Sequence, residues 1–190
     1  MKIKTWLIQN SSHPAALAAV FFLTLCESVF LFIPPEVFIA PPIVSDKKKA
    51  IPVVILASLG SLIGGAISYL IGMFLYNSIG IWLIENFSTP EKFQAAQGMF
   101  VVYGFLIIFI AAFTPVPFKL LAMAAGFVSF NPWLFLGISG IFRAARFAMV
   151  AAVVYKYQKG FRELLEKYFW WAVWLGIVVA ILGAFVLSIM

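Results

Sequence analysis

Ile33-Pro34-Pro35-Glu36 interrupts an apolar run, residues 14–44, and in the second half of the chain Thr114-Pro115-Val116-Pro117 interrupts another, residues 100–130. Each run is too long for one membrane-spanning helix, which needs about 20 residues, and too short for two. Proline has no backbone N–H to give and biases the residue before it away from helix, so each run is expected to turn at its prolines. Pro41-Pro42 is read in the same way, as the end of the first run. A segment that enters a bilayer, turns and leaves by the same face is a re-entrant hairpin, and Pro34, Pro35, Pro115 and Pro117 are the expected breaks.

Each broken run is followed by a polar turn and an unbroken apolar stretch. Lys47-Lys48-Lys49 precedes residues 52–76, and Asn131-Pro132 precedes residues 133–155. Between the halves, residues 77–98 form a polar connection in which Ser88-Thr89-Pro90-Glu91 has the order of a helix start: hydroxyl cap, early proline, acid in the first turn. A basic linker, residues 156–167, leads to a last apolar stretch, residues 168–190, whose Tyr168, Trp170, Trp171 and Trp174 suit a membrane interface. Interrupted hydrophobic segments at matching positions of two halves point to inverted repeats with a binding site near the bilayer midplane. The expected fold is a single all-α integral membrane domain, residues 1–190. It is an inverted repeat of re-entrant hairpin plus transmembrane helix, with an additional C-terminal transmembrane helix. Along the first spanning helix Gly60, Gly64, Ser68 and Gly72 recur every fourth residue, a stripe that lets two helix backbones approach closely.

Composition agrees with a lipid environment: 64% of the residues are hydrophobic and 11% charged, against about a quarter charged in soluble domains. The net charge of +6 is spread over segment ends rather than one solvated face, which argues against nucleic-acid binding. Basic stretches at Lys2 and Lys4, at Lys47-Lys48-Lys49, and in the linker with Lys156, Lys159, Arg162 and Lys167 all fall on one side if both runs are re-entrant. The positive-inside rule makes that side cytoplasmic and puts the loop carrying Glu85, Glu91 and Lys92 outside. The single cysteine, Cys26, excludes an intrachain disulfide and a cysteine-based metal site, and the single histidine, His13, leaves no material for histidine acid–base or metal chemistry. With no phosphate loop and no serine elbow either, the chain is not expected to be an enzyme or to carry a cofactor or metal.

Five ionisable residues nevertheless lie inside apolar segments: Glu27 and Glu36 in the first run, Lys119 in the second, Arg143 and Arg146 in the following helix. At about 2.5 to 3.5 kcal/mol each at a membrane helix centre, five such groups unpaired would cost roughly 15 kcal/mol. They are expected to pair or to face water, and three bases against two acids leave a net positive charge suited to an anion. Arg143 and Arg146, three residues apart, share a helix face.

Glu27-Ser28-Val29-Phe30 with Ile33-Pro34-Pro35-Glu36, the stretch from Gly60 to Ser68-Tyr69-Leu70-Ile71-Gly72, Tyr103-Gly104, and Phe113-Thr114-Pro115-Val116-Pro117-Phe118-Lys119 leading to Ala125-Gly126 resemble, in order and spacing, the DedA family within the larger VTT (SNARE-associated) group. The resemblance covers residues 27–146. It implies two facing re-entrant hairpins and a role in moving lipids between leaflets. In bacteria this includes recycling the polyprenyl-phosphate carrier of cell-wall synthesis, and eukaryotic relatives scramble phospholipids. It also implies that acidic residues of the first hairpin are functional, and Glu27 and Glu36 match those positions. Many members carry an Arg-Phe-x-Pro-x-x-Arg-like motif in the second hairpin. Here Ala112 stands where the first Arg would be and Lys119 lies one residue past the second, so the chain resembles a divergent subgroup in which Arg143 and Arg146 meet the remaining demand for cations.

The function expected is that of a flippase- or scramblase-like translocase of an anionic lipid, such as polyprenyl phosphate or a phospholipid, in the bacterial inner membrane. Its expected partners are membrane lipids with phosphate headgroups. Proton coupling and an oligomer are both compatible with the sequence. A proton- or cation-coupled small-solute transporter and a non-transporting membrane scaffold are the alternatives.

Overall fold

The structure is a computed structural model that describes residues 15–30, 34–76, 78, 90–113 and 118–157. The expectations for residues 1–14, for most of the polar connection with Glu85, Ser88 and Thr89, for Pro115 and Pro117, for most of the basic linker and for the helix at 168–190 lie outside these. The described residues form helices and no strand: α1 (Ala15–Val29), α2 (Glu36–Ser45), a 3-10 turn (Lys47–Lys49), α3 (Ala50–Leu75), α4 (Pro90–Phe113), α5 (Phe118–Phe127) and α6 (Pro132–Lys156).

The punctuation of the sequence accounts for several boundaries. Asn131 accepts hydrogen bonds from the backbone N–H of Trp133 (3.0 Å) and Leu134 (3.1 Å) through its side-chain oxygen, and Pro132 opens α6 where no N–H partner is needed. Asp46 caps the 3-10 turn by accepting from the Lys48 N–H at 2.9 Å. α4 begins at Pro90, inside the connection that the sequence marks as polar. Pro41 and Pro42 depart from expectation: they do not end the first run but lie within α2. Proline's fixed φ is itself helical, so the pair removes two N–H donors without diverting the chain. Burial of every residue from Val37 to Ile43 compensates.

α3 and α6 are long and apolar enough to cross a membrane. α3 is built inside out relative to a helix of a soluble protein. Its inward face carries Gly60, Ser61, Gly64, Gly65, Ser68 and Gly72, while Ile51, Ile55, Leu59, Ile63 and Phe74 are exposed. Small residues inward and large apolar ones outward is the pattern of a helix whose outer face meets hydrocarbon.

Two cores sit at opposite ends of α3 and α6. The first joins Val20 of α1, Ile39 and Ile43 of α2, Val53 and Ala57 of α3, and Phe147, Ala151 and Val154 of α6, with Leu17 and Val44 packed against it. The beginning of α1 and the end of α2 therefore lie together. The second joins Tyr69 of α3, Ile108 and Ala111 of α4, Leu121, Ala122 and Ala125 of α5, and Phe130 and Phe135. There Gln97, early in α4, donates from its side-chain amide to the carbonyl of Val128, just past α5, at 3.0 Å. The beginning of the apolar part of α4 and the end of α5 thus also lie together, at the other end of the long helices.

Close backbone contacts hold α3 between its neighbours. A Cβ added at Gly64 would come within 2.7 Å of the Leu25 carbonyl and the Ser28 side chain, and one at Gly60 would meet Phe21 and Thr24, all on α1. Gly72 and Gly126 lie in reciprocal contact with the backbone of the opposite helix, Gly72 against Met123 and Gly126 against Tyr69. Ser68 also hydrogen-bonds: its hydroxyl donates to the carbonyl of Ser28 at 2.7 Å, satisfying an acceptor that the end of α1 leaves without an intrahelical donor.

Candidate functional site

Between the two cores the five ionisable residues singled out in the sequence come together. α1 ends two residues past Glu27, α2 starts at Glu36, α5 starts one residue before Lys119, and Arg143 and Arg146 occupy the middle of α6. At 1.5 Å per residue, Arg143 lies about 17 Å from the start of α6 and about 20 Å from its end, far from either interface if the helix spans.

The two acids divide the two arginines between them. Arg143 Nη2 donates to Glu27 Oε2 at 3.1 Å, with side-chain exposures of 5% and 12%. Arg146 donates to Glu36 Oε1 from both Nε (3.1 Å) and Nη2 (2.6 Å), with exposures of 24% and 26%. The first pair is sealed and the second is partly open. Glu36 opens α2, where the unpaired N–H groups of a helix start favour a carboxylate. Lys119 is buried and interacts electrostatically with Glu27, which also feels Glu36. The five charges are one cluster, with one positive charge in excess.

Several partners escaped the sequence reading. Ser28 donates to Glu27 Oε2 at 3.2 Å, and its hydroxyl lies 3.2 Å from that of Ser61, tying the acid to the inner face of α3. The Arg143 guanidinium lies 4.5 Å from the centre of the Phe118 ring and 5.2 Å from that of Phe147, close enough for cation–π attraction. Arg146 Nη1 donates to the carbonyl of Ala112 at 3.0 Å. Ala112 occupies the first arginine position of the family-like motif, so α6 delivers a guanidinium to the backbone where that side chain would have started. A serine next to a buried glutamate was the available signal for Ser28. No local signal marks Phe118, Phe147 or the Ala112 carbonyl, because their roles depend on packing across the chain.

Arg143 Nε is buried without a hydrogen-bond partner, the only such side-chain nitrogen or oxygen among the described residues. A buried donor left unmade costs about 1 to 3 kcal/mol, more for a charged group, and an acceptor placed here would recover that cost. Among the described residues no three His, Cys, Asp or Glu side chains gather where they could hold a metal ion.

The model of the VTT domain matches residues 16–156, which takes in every described helix except the first residue of α1. An uncharacterised protein of Haemophilus influenzae is 28% identical over 178 residues, 94% of this chain and 92% of its own length. An uncharacterised protein of Histophilus somni is 28% identical over 181 residues, 95% of this chain and 94% of its own length. No solved structure matches. With the VTT domain model matched over residues 16–156, most of the chain, the protein belongs to the membrane-associated VTT domain family.

Proposed function

We propose that this protein is a multi-pass membrane protein that moves an anionic phosphate-bearing lipid between leaflets. In this reading α1 with α2, and α4 with α5, are re-entrant hairpins that enter from opposite faces, and α3 and α6 span. The return of each helix pair to its own end of the long helices supports the two hairpins, and the lipid-like outer face of α3 supports the spans. The observation that carries the functional reading is the charge cluster halfway along α6, with three cations against two carboxylates and an unmet donor on Arg143. At rest Glu27 and Glu36 occupy the arginines. A phosphate headgroup offers the same oxygens with more charge and can take the place of a carboxylate, most readily at the partly open Arg146, while the hydrocarbon chain stays in lipid. Protonation of a paired glutamate would weaken its hold on its arginine, ease its displacement by the phosphate and so couple lipid movement to protons.

Liposomes containing the purified protein test this. The expected result is that a labelled phosphate lipid becomes accessible from the opposite leaflet. Accumulation of a solute without lipid movement would support the small-solute carrier, and neither would support a scaffold.

A further inference from the structure

Away from the charge cluster, the outer surface carries a groove of about 640 Å³ between α3 and α6, within the range of about 300 to 1,000 Å³ common for ligand sites. Its walls are apolar: Ile51, Val54 and Ile55 on α3 face Ala148, Ala151 and Ala152 on α6, and the alanines leave the space. From Lys47 to Ile55 it runs about 12 Å along the helix axis. One end is different. Lys47 and Lys48, both exposed, line it there with Tyr155, and Lys47 Nζ sits 4.6 Å from the centre of the Tyr155 ring. The neighbouring Asp46 carboxylate accepts from the Lys48 backbone as the cap of the 3-10 turn. Lys156 stands one residue beyond Tyr155, its Nζ 5.4 Å from the Tyr157 ring.

A narrow apolar slot closed at one end by lysines and a tyrosine has the chemistry of a lipid: a chain along the slot, a phosphate among ammonium groups, an aromatic ring at headgroup depth. We propose that this groove binds an anionic phospholipid, with its phosphate at Lys47 and Lys48 and one acyl chain against Val54, Ile55, Ala148 and Ala152. The groove rests on the membrane placement of the chain but not on transport through the centre. It faces outward from α3 and α6, whereas the charge cluster faces inward, so a lipid held here is a fixed partner rather than the cargo.

Native mass spectrometry of the detergent-purified protein with added phosphatidylglycerol or phosphatidylcholine tests it, because it counts retained lipids and does not depend on flipping. The parent should retain phosphatidylglycerol in preference to phosphatidylcholine, and glycerol phosphate, which has no chain, should not compete. Lysine near a charged lipid surface is worth about fivefold in affinity, so Lys47→Gln with Lys48→Gln should weaken phosphatidylglycerol about thirtyfold. Ala152→Phe fills the slot from an exposed position and should reduce retention of that lipid with the lysines intact. Melting temperatures check that both variants are folded. Parent-like retention in both, or equal retention of the two lipids by the parent, would overturn the proposal.

Discussion

Arg143 and Arg146 are one helical turn apart and chemically identical, yet their surroundings assign them different work. Arg143 is sealed between two aromatic rings and Glu27, and removing a partner from a buried pair leaves an uncompensated charge, at about 3 to 5 kcal/mol. Glu27→Gln should therefore lower the melting temperature markedly, whereas Glu36→Gln, which breaks a pair about a quarter exposed, should cost about 1 kcal/mol or less. Thermal unfolding of the two variants in one detergent checks the contrast, and equal losses would place both pairs in the same environment. The sequence could show that five charges had to be accommodated in apolar segments. It could not show which acid meets which base, since these partners are more than a hundred residues apart. A second residue-scale test lies at the end of α5, where Ser129 adopts a positive φ of 55° and the Phe130 N–H reaches back to the Ala125 carbonyl at 2.9 Å. This is the helix ending that glycine favours, so Ser129→Gly should raise stability by about 0.5 to 1 kcal/mol, read by the same melting experiment.

Among the elements, α3 is the one on which the others are assembled. Its period of four small residues was legible because close packing demands glycine or serine wherever a partner backbone passes. Gly65, against the Phe118 ring, falls off that period, and Gly126, against Tyr69, lies on another helix, so the period marks neither. Helix starts were legible at Asn131-Pro132, where the side-chain cap and the missing N–H act locally. Pro41-Pro42 misled because tertiary burial overrode a local preference. The packing makes a paired prediction. Gly126→Ala drives a methyl group into the Tyr69 carbonyl and should destabilise by at least about 1 to 3 kcal/mol. Gly137→Ala, in a helix with nothing within 4 Å of the added carbon, should be neutral or stabilise by up to about 1 kcal/mol. Melting temperatures that fall equally for both would show that the α3–α5 contact is looser than described.

For the whole molecule, the contact between Lys47 and Tyr155 places the basic turn before α3 and the end of α6 on the same side. In the proposed arrangement, charge bias makes that side cytoplasmic. On a Cys26→Ser background, cysteines at Lys48 and Tyr157 should label from the cytoplasm and one at Glu91 from the other side. Labelling of Lys48 and Tyr157 from opposite sides would rule out the arrangement. In the proposed function the arginine–glutamate cluster carries a phosphate headgroup across the bilayer. Its most direct test is the rate at which a labelled phosphate lipid changes leaflet in liposomes containing the parent, Arg146→Ala or Arg146→Lys, each checked for folding on the same preparation. Movement is expected with the parent, with a loss of about tenfold or more in Arg146→Ala, the worth of a charge-assisted hydrogen bond, and incomplete rescue by lysine, which keeps the charge without the planar fork. Lipid movement by folded Arg146→Ala at the parental rate would contradict the proposed function.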